Sequence, residues 1–202
     1  LAGISSSKFS AMLHDVLGEE AKGLSPSVIT KFTVKWQAEY DEWRKRDLSR
    51  KEYVYVWADG IYVKSRLDGE KTCLLVIIGV TVEGKKELVA VQAGIRESTE
   101  SWRGVLLDLK FRGLTKAPKL AVCDGALGFQ NAVDEIWGQL KIQRCWFLKS
   151  TKGNGSSATS VAMAFKLCLQ AEKNWRRFRG FKQLELVAKN IIFVDGEQMK
   201  AA

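Results

Sequence analysis

Asp59 and Asp124 are the residues of this chain best placed to do chemistry. Each follows an apolar, strand-like run, around Tyr53–Trp57 in one case and Lys119–Cys123 in the other, and each precedes a glycine. Carboxylates at the ends of adjacent strands can share divalent cations. A two-metal site holds its ions roughly 3.5–4 Å apart and stabilises both the attacking and the leaving oxygen at a phosphate. Mg²⁺ suits such a site, because it binds few carboxylates together with phosphate oxygens. A glycine after each aspartate keeps the neighbourhood open to a polymer backbone. Both residues also have a purely structural reading. Asp-Gly is a common hairpin dipeptide, which would put Asp59 in a turn. Asp124 stands where a residue can cap the next helix.

Other reactive side chains are sparse. Cys73, Cys123, Cys145 and Cys168 form no Cys-x-x-Cys pair and the only histidine is His14, so a structural zinc site, which clusters about four ligands, is not expected. Buried free thiols in a reducing compartment are. The net charge of +9 is local, because residues 141–182 alone carry ten basic groups against Glu172. Such a stretch attracts polyanions or is simply a solvated basic helix, and charge alone leaves both open. The candidate nucleic-acid contacts are Lys31, Lys35, Lys152, Lys173, Arg176, Arg177 and Arg179. No apolar run reaches the roughly 18 residues of a membrane span. The chain begins at Leu1 with neither an initiator Met nor signal-peptide features, so residue 1 need not be the start of the natural gene product.

The elements that must position these residues follow from periodicity. Phe9, Met12, Leu13, Val16 and Leu17 repeat at helical spacing behind Ser5–Ser7, and Ser25-Pro26 starts a second helix with a stripe of Val28, Ile29, Phe32, Trp36, Tyr40 and Trp43. The pair reads as a small helix-turn-helix-like region over 1–50. The β-rich runs Tyr53–Trp57 and Ile61–Val63 flank Asp59-Gly60 as a hairpin would. Cys73–Val82 is continuously apolar, hence a strand buried on both faces. Leu88–Ala93 is the next strand, followed by a helix over Ser101–Arg112, a strand at Lys119–Cys123, a helix carrying Phe129, Val133, Ile136 and Trp137, and a strand at Lys141–Leu148. The core, residues 51–150, thus reads βββ-αβαβ, an α/β mixed sheet with flanking helices of the ribonuclease H-like kind. A Gly/Ser-rich loop leads to a basic helix from about Thr159 to Arg179, within a C-terminal region 151–202, and Ile191–Val194 is a last strand. Its Trp175-Arg176-Arg177-Phe178-Arg179 segment sets aromatics among arginines, which suits phosphates and exposed bases.

Trp57-Ala58-Asp59-Gly60-Ile61-Tyr62-Val63 resembles the first catalytic motif of Mutator-type bacterial insertion-sequence transposases, and Val122-Cys123-Asp124-Gly125-Ala126-Leu127-Gly128-Phe129 resembles the second. Gly94-Ile95-Arg96-Glu97-Ser98, Ser101-Trp102, Leu107-Asp108-Leu109-Lys110 and Arg112-Gly113-Leu114 are similar to the block between them. Gly3-Ile4-Ser5 and Leu24-Ser25-Pro26-Ser27-Val28-Ile29 resemble the family's DNA-binding region, and Thr151-Lys152-Gly153, Ala162–Leu167, Ala171-Glu172-Lys173 and Trp175-Arg176-Arg177 its closing helix. The resemblance implies DNA transposition by a DDE enzyme. Asp59 and Asp124 would be catalytic and hold Mg²⁺ or Mn²⁺. The partners would be element terminal repeats, target DNA and further copies of the chain, in the bacterial cytoplasm at the nucleoid.

The departures bear on activity. The family's third acid is a Glu in an Asn-Pro-Ile-Glu-Ser-like motif, which this sequence lacks; its only prolines are Pro26 and Pro118. Leu148 stands where the family has the His of a Cys-x-x-His, and the strand ending there runs almost directly into Thr151-Lys152-Gly153. An internal deletion explains both, and implies an impaired enzyme or a non-enzymatic DNA-binding regulator derived from a truncated transposase. Glu172, Glu185 or a partner chain are the possible replacements for the missing acid.

Overall fold

One long strand organises the sheet. The computed structural model describes residues 26–64, 71–138, 140–144, 152–154, 157–191, 193–194 and 197–198. In chain order the elements are α1 (Pro26–Trp43), β1 (Tyr53–Lys64), β2 (Lys71–Thr81), β3 (Lys86–Gly94), α2 (Thr99–Phe111), β4 (Leu120–Cys123), α3 (Leu127–Trp137), β5 (Lys141–Arg144), β6 (Lys152–Asn154), α4 (Ser157–Lys173), a 3₁₀ turn at Phe181–Gln183, α5 (Leu184–Ala188), β7 (Phe193–Val194) and β8 (Glu197–Gln198). The main sheet runs β3-β2-β1-β4-β5, with β6 added beside the far end of β1. β1, β2 and β3 pair antiparallel, while β4 and β5 are parallel to β1 and to each other. That order and those senses make a ribonuclease H-like mixed sheet with flanking helices, the expected βββ-αβαβ succession.

Alternation along β2 explains its unbroken apolar run. Cys73, Leu75 and Ile77 join Ala58, Ala121, Trp102, Leu106, Phe129 and Val133 under α2 and α3. Leu74 and Val76 face the other way, with Leu88, Val91, Tyr40 and Phe165 under α1 and α4. Both faces are therefore covered, as a continuous apolar strand requires. The α2 stripe is the predicted one, Trp102, Val105, Leu106 and Leu109, and Ser98 caps the helix by accepting the Ser101 N–H. Burying each such side chain contributes about 1.5–3 kcal/mol. On the opposite face α1 starts at Pro26, whose missing N–H is harmless in a first turn. It is tied to the sheet's edge strand: the Tyr40 hydroxyl donates to the Val91 carbonyl at 2.7 Å, and Arg46 donates to the Leu88 and Val89 carbonyls at 2.8 and 3.0 Å. Arg46 also lies 3.8 Å over the Trp43 ring. An edge strand covered in this way cannot pair with another chain there. Lys166 of α4 pairs with Glu39 of α1.

Two local expectations are corrected. There is no hairpin at Asp59-Gly60. The runs on either side belong to one strand, because β2 offers partners straight through: Ala58 opposes Ile77, Asp59 opposes Val76 and Gly60 opposes Leu75. The last long helix ends at Lys173, not Arg179. Beyond it Phe178 donates its N–H to the Gly84 carbonyl at 2.9 Å and packs its ring on Tyr55 and Trp57, so the chain folds beneath the β2–β3 turn instead of continuing the helix. The first predicted helix, its serine cap, Ser25, and Cys145–Leu148 of the predicted last core strand lie outside the described residues. The thiols of Cys73 and Cys123 are buried and free.

Glu87 is the buried charge on which this half of the sheet turns. It is 9 % exposed and accepts from Lys51, Lys85 and the Tyr53 hydroxyl. Burial alone would raise its carboxyl, but the bonds of Lys51 and Lys85, the charge of Lys51 and the Tyr53 bond hold it below the ordinary glutamate range. A depressed acid contributes stability above its unfolded pKa and loses it as pH falls through the folded value. Because both lysines are partly exposed, the contribution is about 1–2 kcal/mol. Glu87→Gln should therefore lower the melting temperature by roughly 2–8 °C at pH 7. The gap to wild type should close as pH drops below the usual glutamate value, and a gap independent of pH would contradict the assignment.

Candidate functional site

The strand register brings the two aspartates together. β1 and β4 run parallel with Tyr55 opposite Leu120 and Trp57 opposite Val122. Two residues further along each strand stand Asp59 and Asp124. The outer edge of β1 is not taken up again until Tyr62, which opposes Lys152 of β6. Residues 58–61 thus border an opening between β4 and β6, while β2 still holds them from the other side. Burial, followed by the charge of Asp124, raises the Asp59 carboxyl above the ordinary aspartate range, and the Gly60 N–H works the other way. Asp124 Oδ1 accepts the Ala126 N–H at 2.8 Å across Gly125, whose φ of 94° suits glycine. That bond closes a turn. The cap position of α3 is Ala126, which makes no side-chain bond.

A third carboxylate lies at the same place, one not singled out among the sequence motifs. Glu97 sits between β3 and α2. Its side chain fills the space beside Gly60, where a Cβ would collide with its Cγ, Cδ and Oε1, and its carbonyl rests where a Cβ on Gly128 would be. Its N–H makes a long bond, 3.4 Å, to the Tyr62 hydroxyl. Burial, then the charges of Asp124 and Asp59, push its carboxyl up to about 7. The sequence signals for it were its place in the Gly94–Ser98 block and its position directly after a strand and before a serine-capped helix. Glu172 and Glu185, the other acids considered, are elsewhere. Glu172 lies by Leu88 and Glu87, and Glu185 is paired with Lys189 at 2.7 Å on the surface.

The donor set fits Mg²⁺ or Mn²⁺, which prefer carboxylate oxygens. Among the described residues none of the three carboxylates has an ion-pair partner. No group of three or more acid, histidine or cysteine side chains among them forms a cage that could hold a metal ion. An ion held through one or two carboxylates plus phosphate oxygens does not need such a cage. The nearby Cys73 thiol is pushed up to about 12, by burial first and then by Glu97, so it stays protonated at neutral pH. Arg144 lays its guanidinium against Gly125, next to Asp124.

The basic candidates form a separate set. Lys31, Lys35, Lys173, Arg176, Arg177 and Arg179 are all exposed, whereas the Lys152 side chain lies outside the described residues. The charges of Lys35 on α1 and Lys173 on α4 both bear on Lys166, whose ammonium is lowered mainly by burial. Arg177 stacks 4.5 Å from the Phe181 ring. With Lys173, Arg50, Lys51, Lys85 and Lys86 it lines a cleft of about 990 Å³, which Glu52, Glu83, Glu87 and Glu172 share. The cleft lies at the Tyr53 end of β1, six residues or roughly 20 Å from Asp59. The aromatics of the Trp175–Arg179 segment are turned inward, Phe178 against Tyr55 and Trp57, and Trp175 against the α1/α4 core. Both remain half-buried.

The contact at Gly128 gives a direct test of the site's packing. A methyl there meets the Glu97 backbone, which cannot rotate away. Gly128→Ala should cost about 2 kcal/mol, or roughly 4–8 °C in melting temperature. Gly104→Ala on α2 meets nothing within 4 Å and should raise stability by about 0.5–1 kcal/mol. Equal effects from the two would contradict the described approach of Glu97 to α3.

The sequence is similar to known proteins. The sequence profile described as "Transposase, Mutator family" matches residues 1–152. The transposase for insertion sequence element IS6120 of Mycolicibacterium smegmatis is 54 % identical over 149 residues, 74 % of this chain and 46 % of that protein. The transposase for insertion sequence element IST2 of Acidithiobacillus ferrooxidans is 47 % identical over 138 residues, 68 % of this chain and 47 % of that protein. The chain therefore spans about half the length of these relatives. A solved structure of the HTLV-2 integrase catalytic core domain in complex with magnesium aligns with a TM-score of 0.34 and 17 % identity, over 50 % of this chain and 63 % of that one. The fold assignment rests on the strand order, and the family on the profile match: this chain belongs to the Mutator family of transposases.

Proposed function

We propose that this chain binds DNA and a divalent cation as an insertion-sequence transposase does, and that its strand cleavage is weak. The observation that carries the reading is the β1/β4 register that sets Asp59 beside Asp124. The reaction is hydrolysis of a phosphodiester at the element end, in which water adds to phosphorus and a 3′-OH leaves. That 3′-OH then attacks a target phosphodiester. Mg²⁺ or Mn²⁺, held by Asp59 and Asp124, would supply charge stabilisation at the attacking and leaving oxygens. The chain's residues orient the DNA: Lys31 and Lys35 on α1, and Lys173, Arg176, Arg177 and Arg179 beyond the sheet, with Lys152 on β6, hold phosphates. Residues 1–50 serve terminal-repeat recognition, 51–150 the chemistry and 151–202 backbone contacts. The working form is a homo-oligomer at the nucleoid in the bacterial cytoplasm. No described helix is long and apolar enough to cross a membrane.

The expectation of weak cleavage rests on the sequence junction between Leu148 and Thr151, where the resemblance would place the family's acidic motif. The same junction favours a second reading, a non-enzymatic regulator that occupies terminal repeats, because β6 directly after it is folded onto β1 and the basic residues remain.

Two measurements test this. Each phosphate contact neutralised releases counterions, so log affinity falls with log salt. Arg176→Ala with Arg179→Ala should weaken duplex binding and make that slope shallower by about 2; an unchanged slope would remove these arginines from the interface. In a cleavage assay on element-end duplex with MnCl₂, wild type should nick slowly and Asp124→Asn not at all. Rapid wild-type cleavage would refute impairment, and slow nicking that survives Asp124→Asn would refute the catalytic role of the pair.

A further inference from the structure

We propose that a pocket beside the starts of β4 and β5 takes an unpaired nucleotide of single-stranded DNA. Lys119, Lys141 and Arg179 receive its phosphates, and Tyr55 and Phe178 its base. The inference goes beyond the duplex contacts proposed above and uses neither aspartate.

The sheet builds the pocket from one row of side chains. Tyr55 of β1 opposes Leu120 of β4, and Leu120 opposes Lys141 of β5. Residues opposite each other in a ladder point to the same face, so these three side chains stand side by side. Phe178 meets Tyr55 edge to face, the ring centroids 5.4 Å apart. Beyond them α5 buries Leu184 against Val54 and Val80, and its Val187 lines the pocket. The space is about 630 Å³, within the roughly 300–1,000 Å³ of small-molecule sites.

Charge selects the ligand. Lys119, Lys141 and Arg179 belong to the lining and no acid does, whereas four glutamates share the larger cleft with its bases. Among the described residues none of the three cations has an ion-pair partner. Such a pocket attracts an anion. Between the cations the lining is apolar and aromatic, through Tyr55, Leu120, Phe178 and Val187. A bare inorganic anion would leave that surface in water. Gln183 and Asn190, both exposed, add amide donors and acceptors. An anion that carries a flat ring with hydrogen-bonding edges is a nucleotide. Bases inside a duplex are paired and stacked, so the base must come from an unpaired stretch.

The pocket also lies on the face that leads to the opening. Asp59 opposes Val76, and Val76 faces α1 and α4. Tyr55, four residues earlier on the same strand, points the same way. Pocket and Asp59 are thus on one face of the sheet, roughly 13 Å apart along β1. A strand that reaches one reaches the other without crossing the sheet.

The test is fluorescence anisotropy of the full chain with a short labelled oligothymidylate. A duplex is measured in parallel, and folding of every variant is checked by its melting curve. Wild type should bind the oligothymidylate more tightly than an abasic oligomer of the same length. Lys119→Ala with Lys141→Ala should weaken oligothymidylate binding by at least about tenfold at low salt. Lys141→Glu, at an exposed side chain, should do the same and serves if the double variant does not fold. Tyr55→Leu keeps bulk but removes the ring, and should weaken binding about fivefold or more. Arg176→Ala, outside the lining, should leave the oligothymidylate bound as before. Wild-type affinity in the folded lysine variants, or loss of oligothymidylate binding in Arg176→Ala, would overturn the pocket. Equal wild-type affinity for the abasic oligomer would overturn the role of the base. Duplex binding without oligothymidylate binding would overturn the inference and leave the proposed function standing.

Discussion

The site depends on β1 being held over its whole length by β2 and over only a quarter of it by β4. β2 pairs with it from Tyr53 to Lys64, whereas β4 is paired with it at Tyr55 to Trp57. The long ladder fixes the register, because a slip of one residue would turn every side chain of β1 to the wrong face. The short ladder ends where the chemistry begins. Beyond Trp57 and Val122 the strands are free of each other, and Asp59 and Asp124 stand at the mouth of that gap. A parallel sheet places functional groups at the ends of its strands for this reason. Here the central strand continues past the mouth, which gives Asp59 a firmer backbone than a loop would.

This explains which features could be read from sequence. The Cys73–Val82 run, the Trp102–Leu109 stripe and the alternation of later strands and helices each report a local pattern of burial. They translated into β2, α2 and the β4-α3-β5 succession with boundaries off by one to a few residues. Asp59-Gly60 misled because turn propensity is local and the competing partner, Val76-Leu75, is not. Trp175 and Phe178 misled in the same way. They continue a helical stripe on paper, yet Phe178 is drawn to Tyr55, Trp57 and the Gly84 carbonyl. Tertiary packing overrides weak local preference in both cases. Glu97 lies within the Gly94–Ser98 block, yet nothing local marks it as an acid of the site, since what defines it is its approach to Gly60 and Gly128. Those contacts exist only once β3 has delivered the chain to α2.

Charge is divided between two regions of the molecule. The acids gather at the β4–β6 opening, and many of the exposed bases lie on α1, α4 and the segment below the β2–β3 turn. A separation of roughly 20 Å along β1 is no obstacle for a duplex, which carries one phosphate charge per about 1.7 Å of axis. Basic residues at that distance hold the polymer without neutralising the carboxylates. Were they closer, lysine ammoniums would pair with Asp59 and Asp124 and take the place a metal cation needs. Arg144, against Gly125, and Lys152, on β6 opposite Tyr62, stand closer to the opening, and the planar guanidinium of Arg144 suits a phosphate better than a point charge does.

Holding three carboxylates together destabilises the folded chain, and the rest of the fold has to offset it. Asp59 and Glu97 are both raised by burial and by neighbouring negative charge, so their ionised forms disfavour folding in the absence of a cation. The offset comes from elsewhere in the same sheet. β2 is buried on both faces, and Glu87 at the opposite end of β1 sits between Lys51, Lys85 and Tyr53, where its ionised form is favoured. One end of the strand thus stabilises a charge with protein groups, and the other concentrates charge that protein groups leave unpaired. That asymmetry is what a binding site for an external cation requires, because a site already satisfied by the protein's own lysines has no free energy to gain from a metal.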